Sequence, residues 1–184
     1  MAFQFSVPVR NGALDGVEAV VGTAPTLTIR TSAVPANCAA ARVGTVLATL
    51  ILPSDWMALA SGGIKSLSGT WQDLAADAEG KAVYFSIDQG AICHIQGLVS
   101  MAWFASVSVI TGEHRTNSGN LYRCTTAGTT ASSGGPTGTG GSITDGTAVW
   151  EYVQVGSDMA LDNTSIGVNQ QVTITSFNLT IGGA

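Results

Sequence analysis

The sequence predicts an all-β fold: a β-sandwich of jelly-roll or Greek-key type, with a short N-terminal helix and a small inserted β lobe. Three observations carry this. Apolar segments with period-two alternation recur along the chain, about eight in number, separated by Gly, Pro, Asn, Asp and Ser clusters. One stretch near the N-terminus has helical spacing instead. A Gly/Ser/Thr-rich run interrupts the strands late in the chain, and strands then resume. The implied organisation is sandwich core over 1–110, an inserted hairpin lobe over 111–155, and the last sandwich strands over 156–184.

Taken in order, Phe3, Phe5 and Val7 alternate with Gln4 and Ser6 and predict a short strand or extended arm. Asn11 can cap a helix running to Val21 and stopped by Gly22, with an apolar stripe of Leu14, Val17, Val20 and Val21. Gly12 and Gly16 weaken it, so it needs packing to persist. Thr26–Arg30 alternates with Leu27 and Ile29 inward. A loop rich in alanine begins at Pro35. Thr45–Leu52 is apolar on both faces and reads as a central or an interface strand. Asp55 can cap a turn carrying Trp56. Ile64–Trp71 is a weaker strand, and Gln72–Lys81 is loop-like. Val83, Phe85 and Ile87 alternate with Tyr84, Ser86 and Asp88.

From Cys93 the alternation holds through Val109, about three times the usual strand length of ~5–6 residues. Gly97 is the natural point for such a strand to bend. Its second half reads as a stalk into the lobe, with Val149–Val155 returning alongside. The lobe itself is read as two strands, Leu121–Thr126 and Ala148–Val155, joined by a long loop. Met159–Asp162 and Val172–Ile181 complete the sandwich. The inward set of the last strand switches parity between Ile174 and Phe177, which predicts a β-bulge near Thr175 and Ser176. The expected core is Leu27, Ile29, Val83, Phe85, Ile87, Ile95, Val99, Phe177 and Leu179.

Composition narrows the function. Only 10% of residues are charged and 45% are hydrophobic, with a mean hydropathy of +0.32. Average soluble domains carry about 25% charge. A surface buried against copies of itself or a larger assembly accounts for this; a surface solvated by Ser and Thr hydroxyls is the alternative. The net charge of −5 and the scatter of seven basic residues argue against a nucleic-acid partner. No apolar run is long enough to span a bilayer, and the first residues predict no secretion signal. Three cysteines, Cys38, Cys93 and Cys124, include no CxxC pair, so a zinc site is not expected. Cys93 falls on the apolar side of its strand's alternation, as a buried thiol would. A Cys38–Cys93 bridge is open, although cytosolic assembly would keep both reduced.

The residues predict no catalytic, metal or cofactor site and no enzyme. His94 sits on the polar side of a strand, and His114 reads as part of a solvated corner with Glu113 and Arg115. No GxSxG elbow surrounds Ser54-Asp55, and GTGGSITDG has no Lys to make a P-loop. In the lobe, Tyr122 and Cys124 share one face, and Trp150 and Tyr152 another. Such rings can stack on a sugar, which would make Tyr122, Trp150 and Tyr152 glycan-binding residues. Equally they can be the whole core of a lobe with little else to bury.

A resemblance adds to this reading. Leu121–Thr129, with its Leu-Tyr-Arg-Cys-Thr-Thr-Ala-Gly-Thr run, and Thr144–Val153, with Thr-Asp-Gly-Thr-Ala-Val-Trp-Glu-Tyr-Val, resemble a small β-module recurrent in tailed-bacteriophage structural proteins. That module is similar to chitin-binding-type carbohydrate modules. Here His114-Arg115-Thr116-Asn117 replaces the usual aromatic lead-in. Elsewhere, Pro35-Ala36-Asn37-Cys38, Leu52-Pro53-Ser54-Asp55-Trp56, Cys93-His94-Ile95-Gln96-Gly97 and Leu161-Asp162-Asn163-Thr164 resemble a family of small phage virion proteins. By analogy of size and all-β character, that family is similar to capsid decoration or cement proteins. The resemblance implies a virion protein, a homo-oligomer (dimer or trimer) that contacts the major capsid protein or other virion proteins. The alternative it implies is a tail, fibre or collar component that binds host glycan through the lobe.

Overall fold

The computed structural model describes residues 4–182, so the part of the expected N-terminal strand carried by Phe3 lies outside the described residues. Helix α1 spans Val7–Val21. It begins four residues before the expected cap at Asn11, because Pro8 falls in the first turn, where a missing N–H costs nothing. Val7 is therefore helical rather than extended. Strands β1 (Thr26–Arg30), β2 (Val46–Ile51), β3 (Ile64–Ser66), β4 (Gln72–Asp73), β5 (Gly80–Lys81), β6 (Tyr84–Gln89) and β7 (Ile92–Ala102) follow. The lobe region holds β8 (Ser108–Val109), β9 (His114–Asn117), β10 (Asn120–Thr126), β11 (Gly128–Thr129), β12 (Ile143–Asp145) and β13 (Ala148–Val155). The chain closes with β14 (Met159–Leu161), β15 (Ser165–Ile166) and β16 (Val172–Thr180).

The fold is all-β, built on one large mixed sheet, with the expected helix at its start. β2, β1, β6 and β7 pair antiparallel in that order. β7 then pairs in parallel with β14, which continues antiparallel to β16, and β16 pairs with β3 and β4. The end of β7, Met101–Ala102, pairs with β9, from which the sheet runs through β10 and β13 to β12. In the β14–β16 ladder Ala160 faces Ser176 and Leu161 faces Ile174, so Thr175 is the extra residue of the predicted bulge.

A chain of aromatic rings runs through the main core. Trp56, Trp71, Phe177 and Phe85 follow one another at centroid separations of 5.9, 5.4 and 5.6 Å. Trp56 also ties in the helix, donating its indole N–H to Gly22 O at 3.0 Å. Leu27, Ile29, Phe85, Ile87, Val99 and Phe177 are buried as expected, Ile95 and Leu179 pack at the margin, and Val83 is half-buried. Gly97 serves close approach: a Cβ there would stand 2.8 Å from the Phe85 ring and 2.9 Å from Asp158 Oδ2.

Several elements differ from expectation for identifiable reasons. β2 pairs only with β1, so it is an edge strand and not a central one. Its outer side is taken up by the next loop: Asp77 N donates to Leu47 O, and Thr49 N donates to the Asp73 carboxylate. That blunts the edge against further strand pairing. The supposed loop Gln72–Lys81 contributes β4 and β5. β6 is buried on both faces: loop 31–45 bonds to Tyr84 and Asp88, and Ser86 between them bonds to Thr28 and Asp88. β7 stops at Ala102, and the alternation beyond it is carried by a turn with Ser106 at φ 55° and by β8. β13 returns beside β10, not beside β7. Finally, Ile87 faces Ile95 while Asp88 faces Cys93, a bulge that leaves His94 unmatched. Cys93 therefore lies on the face opposite Ile95, under loop 31–45 and away from the main core.

Candidate assembly surface

Helix α1 departs from an ordinary surface helix, which turns its apolar stripe inward and its charges to water. Leu14 and Val21 are buried and Val17 packs on the core, but the helix's polar side chains point the same way. Asn11 accepts from Gly63 N at 2.8 Å, Asp15 from Ala60 N at 3.1 Å and Glu18 from Met57 N at 3.3 Å. Lys65 on β3, 1% exposed, reaches Asp15 at 2.7 Å and Glu18 at 2.9 Å. Burial alone would push the Lys65 ammonium down, but the hydrogen bonds from Asp15 and Glu18 outweigh it and hold its pKa up. The same Lys65 bond, aided by the Ala60 amide, lowers the Asp15 carboxyl.

What remains for solvent is an uncharged face. Pro8, Val9, Gly12, Ala13, Gly16, Ala19 and Val20 are all exposed, and at 100° per residue they fill one side of the helix. Val20, expected inward, is 75% exposed, and Val9 is 52% exposed. A Cβ at Gly12 or Gly16 would meet nothing within 4 Å, so this chain's own packing does not require either glycine. Each costs the helix about 1 kcal/mol relative to alanine. Small residues on a flat face allow a neighbouring backbone to come close.

Charge is short elsewhere too. Of seven basic and twelve acidic side chains, Lys65, Asp88, Glu113, Arg115 and Asp145 are buried. The expected solvated corner is one of these sites. β9 lies between β7 and β10, so Glu113 (1% exposed), His114 (3%) and Arg115 (6%) are covered. Glu113 holds Arg115 and, at 3.2 Å, Lys81 from β5, which joins the lobe to the main core. His114 lines a cleft with Val83, Leu98, Arg123, Glu151 and Val153, and its Nδ1 has no hydrogen-bond partner. Burial foremost, then the Arg123 guanidinium, push the His114 imidazole down to about 4.

The lobe has its own hydrophobic cluster of Val109, Tyr122, Cys124, Ala148 and Trp150, with Trp103, Val107, Ile143 and Tyr152 packed on it. The structure thus brings the three candidate sugar-stacking residues together, but as a core. Tyr122 and Trp150 are fully buried and offer no ring face to a ligand, which corrects the stacking expectation for both. Tyr152, half-buried, packs against Tyr122 at 6.2 Å between ring centroids with its plane at 72°. Asp145, 3% exposed, accepts from Trp103 Nε1 at 2.7 Å, Trp150 Nε1 at 3.1 Å and Ala131 N at 3.0 Å. The long loop is pinned as well. Tyr122 Oη donates to Gly138 O at 3.1 Å, and Asn117 Nδ2 to Gly134 O and Pro136 O at 2.9 and 3.0 Å.

Among the described residues, no group of three or more His, Cys, Asp or Glu side chains is placed to hold a metal ion. No helix there is long and apolar enough to cross a membrane. Compared with known proteins, the chain matches no family model, no curated protein and no solved structure. Sequence reasoning missed the outward face of α1. The signal was present in Val9, Gly12, Ala13, Gly16 and Val20, which a helical wheel places together with no charge among them.

Proposed function

We propose that the chain is a structural protein of a tailed-phage particle, one that decorates or cements the capsid as a homo-oligomer, dimer or trimer. It has no catalytic role in this reading. The observation that carries it is the uncharged outward face of α1, with Asp15 and Glu18 engaged on the other side by Lys65 and the Ala60 and Met57 amides. Such a face is suited to contact with another protein surface. The resemblance of the lobe and of the short motifs in the remaining chain to phage virion proteins supplies the setting, with the major capsid protein as the second partner. The lobe serves as a projecting knob. Burial of Tyr122 and Trp150 weighs against the alternative, a tail, fibre or collar component that reads host glycan.

Quantitative mass spectrometry of intact particles tests this reading. A decorating protein is expected at hundreds of copies per particle, in fixed proportion to the major capsid protein. A few copies, or a few tens, would move the chain to the tail or collar and refute the capsid role.

A further inference from the structure

Loop 31–45 lies over the outer face of the β6–β7 hairpin and is anchored on either side of one residue pair. Pro35 O accepts from Gln96 Nε2 at 2.7 Å, and Arg42 pairs with Asp88 at 2.8 Å. The Tyr84 hydroxyl adds a third anchor, donating to Val43 O at 2.6 Å and accepting from Val43 N at 3.1 Å. In the loop, Cys38 falls between Pro35 and Arg42. On the hairpin, Cys93 stands directly across from Asp88 and three residues before Gln96. The bulge at His94 turns Cys93 toward the loop. Cys93 Sγ donates to Ile95 O at 3.6 Å, Cys38 is one of the groups that act on the Cys93 thiol, both cysteines are half-buried, and neither is bridged.

We propose that Cys38 and Cys93 form a redox pair that closes to a disulfide when the chain passes from a reducing to an oxidising medium, fastening loop 31–45 to β7. The oxidant is a small soluble disulfide of the glutathione class. Cys38, as thiolate, attacks one sulfur of the oxidant; that S–S bond breaks, a mixed disulfide forms, and one small thiolate leaves and takes up a proton. Cys93 then gives its proton to solvent base and attacks Cys38 Sγ, which expels the second small thiol. Two protein thiols are oxidised and one disulfide is reduced to two thiols. Burial first, then Cys38 and Asp88, push the Cys93 thiol up to about 12. That disfavours Cys93 as the first attacking thiolate, and closure speeds up as the pH rises. Cys124, buried in the lobe cluster, takes no part.

The test uses the full chain incubated with oxidised glutathione at pH 8, then digested without reduction and analysed by mass spectrometry. The expected result is a peptide pair linked through Cys38 and Cys93, with Cys124 still a thiol. The oxidised chain is expected to melt roughly 5–10 °C higher, and dithiothreitol should reverse the shift. Cys38→Ser and Cys93→Ser should each abolish both the cross-link and the shift. Glutathione adducts that persist on either cysteine without a cross-link would overturn the proposal, as would disulfides only between chains. A cross-link that leaves the melting temperature unchanged would overturn the fastening.

Discussion

Replacing Trp150 with alanine is expected to unfold the lobe while the main core stays folded. The indole is completely buried, and truncating a buried Trp costs about 3–5 kcal/mol. The upper part of that range applies, because the lobe cluster contains only five buried hydrophobic side chains and the main core is a separate cluster. The substitution also removes one of the donors that neutralise the buried Asp145 carboxylate, leaving Trp103 and Ala131 to hold it. Limited proteolysis reads the result. Cleavage within loop 131–142 should accelerate by roughly 100-fold or more, as 3 kcal/mol of local opening implies. Peptides from β1, β6 and β16 should remain protected. A loop that stays protected in Trp150→Ala would show that the ring does not hold the lobe together.

Mild acid is expected to have the other large effect. His114 is held neutral in the folded chain, with a pKa of about 4 set by burial and Arg123 against the weaker pull of Asp158, Glu113 and Glu151. In the unfolded chain it titrates near 6.5. The folded pKa is the lower one, so the unfolded state binds the proton first. The contribution is fully present above about pH 6.5 and is lost as the pH falls through 4, a total of roughly 3 kcal/mol. Asp15 has its carboxyl lowered by Lys65 and adds a further loss at more acidic pH, below its unfolded value near ~3.9. Denaturant titrations between pH 7 and pH 4 separate the two. The wild-type chain should lose about 3 kcal/mol across that window, and His114→Gln should be nearly flat. Equal slopes in the two proteins would mean that the imidazole is not what acid attacks.

Local pattern carried much of the fold. Thr26–Arg30 is a strand at its predicted bounds with Leu27 and Ile29 buried as the alternation predicts, although Thr28 between them is buried too. The bulge at Thr175 was visible as a parity switch, since side-chain direction in a strand leaves little freedom to hide an extra residue. The lobe core was legible for a similar reason: Tyr122, Cys124 and Trp150 are nearly all it has to bury. The failures share a cause, which is burial imposed by residues distant in sequence. Glu113, His114 and Arg115 look like a solvated corner until β7 and β10 close over them. Cys93 keeps step with Ile95 in the sequence, and only its partner Asp88 reveals the bulge at His94 that separates their faces. Helix α1 is apolar on two sides, so periodicity alone does not say which side is inward. Lys65, remote in the chain, decides it by drawing Asp15 and Glu18 toward the core.

That orientation leaves Val20 75% exposed and is the basis for the proposed assembly through α1. Sedimentation velocity of the 18.7 kDa chain, measured over a range of concentrations beside Val20→Lys, tests it most directly. Val20 is 75% exposed, so the substitution leaves the monomer's packing intact, and an unchanged thermal transition checks this. The expected result is a wild-type dimer or trimer and a folded, monomeric Val20→Lys. A wild-type chain that sediments as a monomer at every concentration, or a Val20→Lys chain that stays assembled, would contradict it.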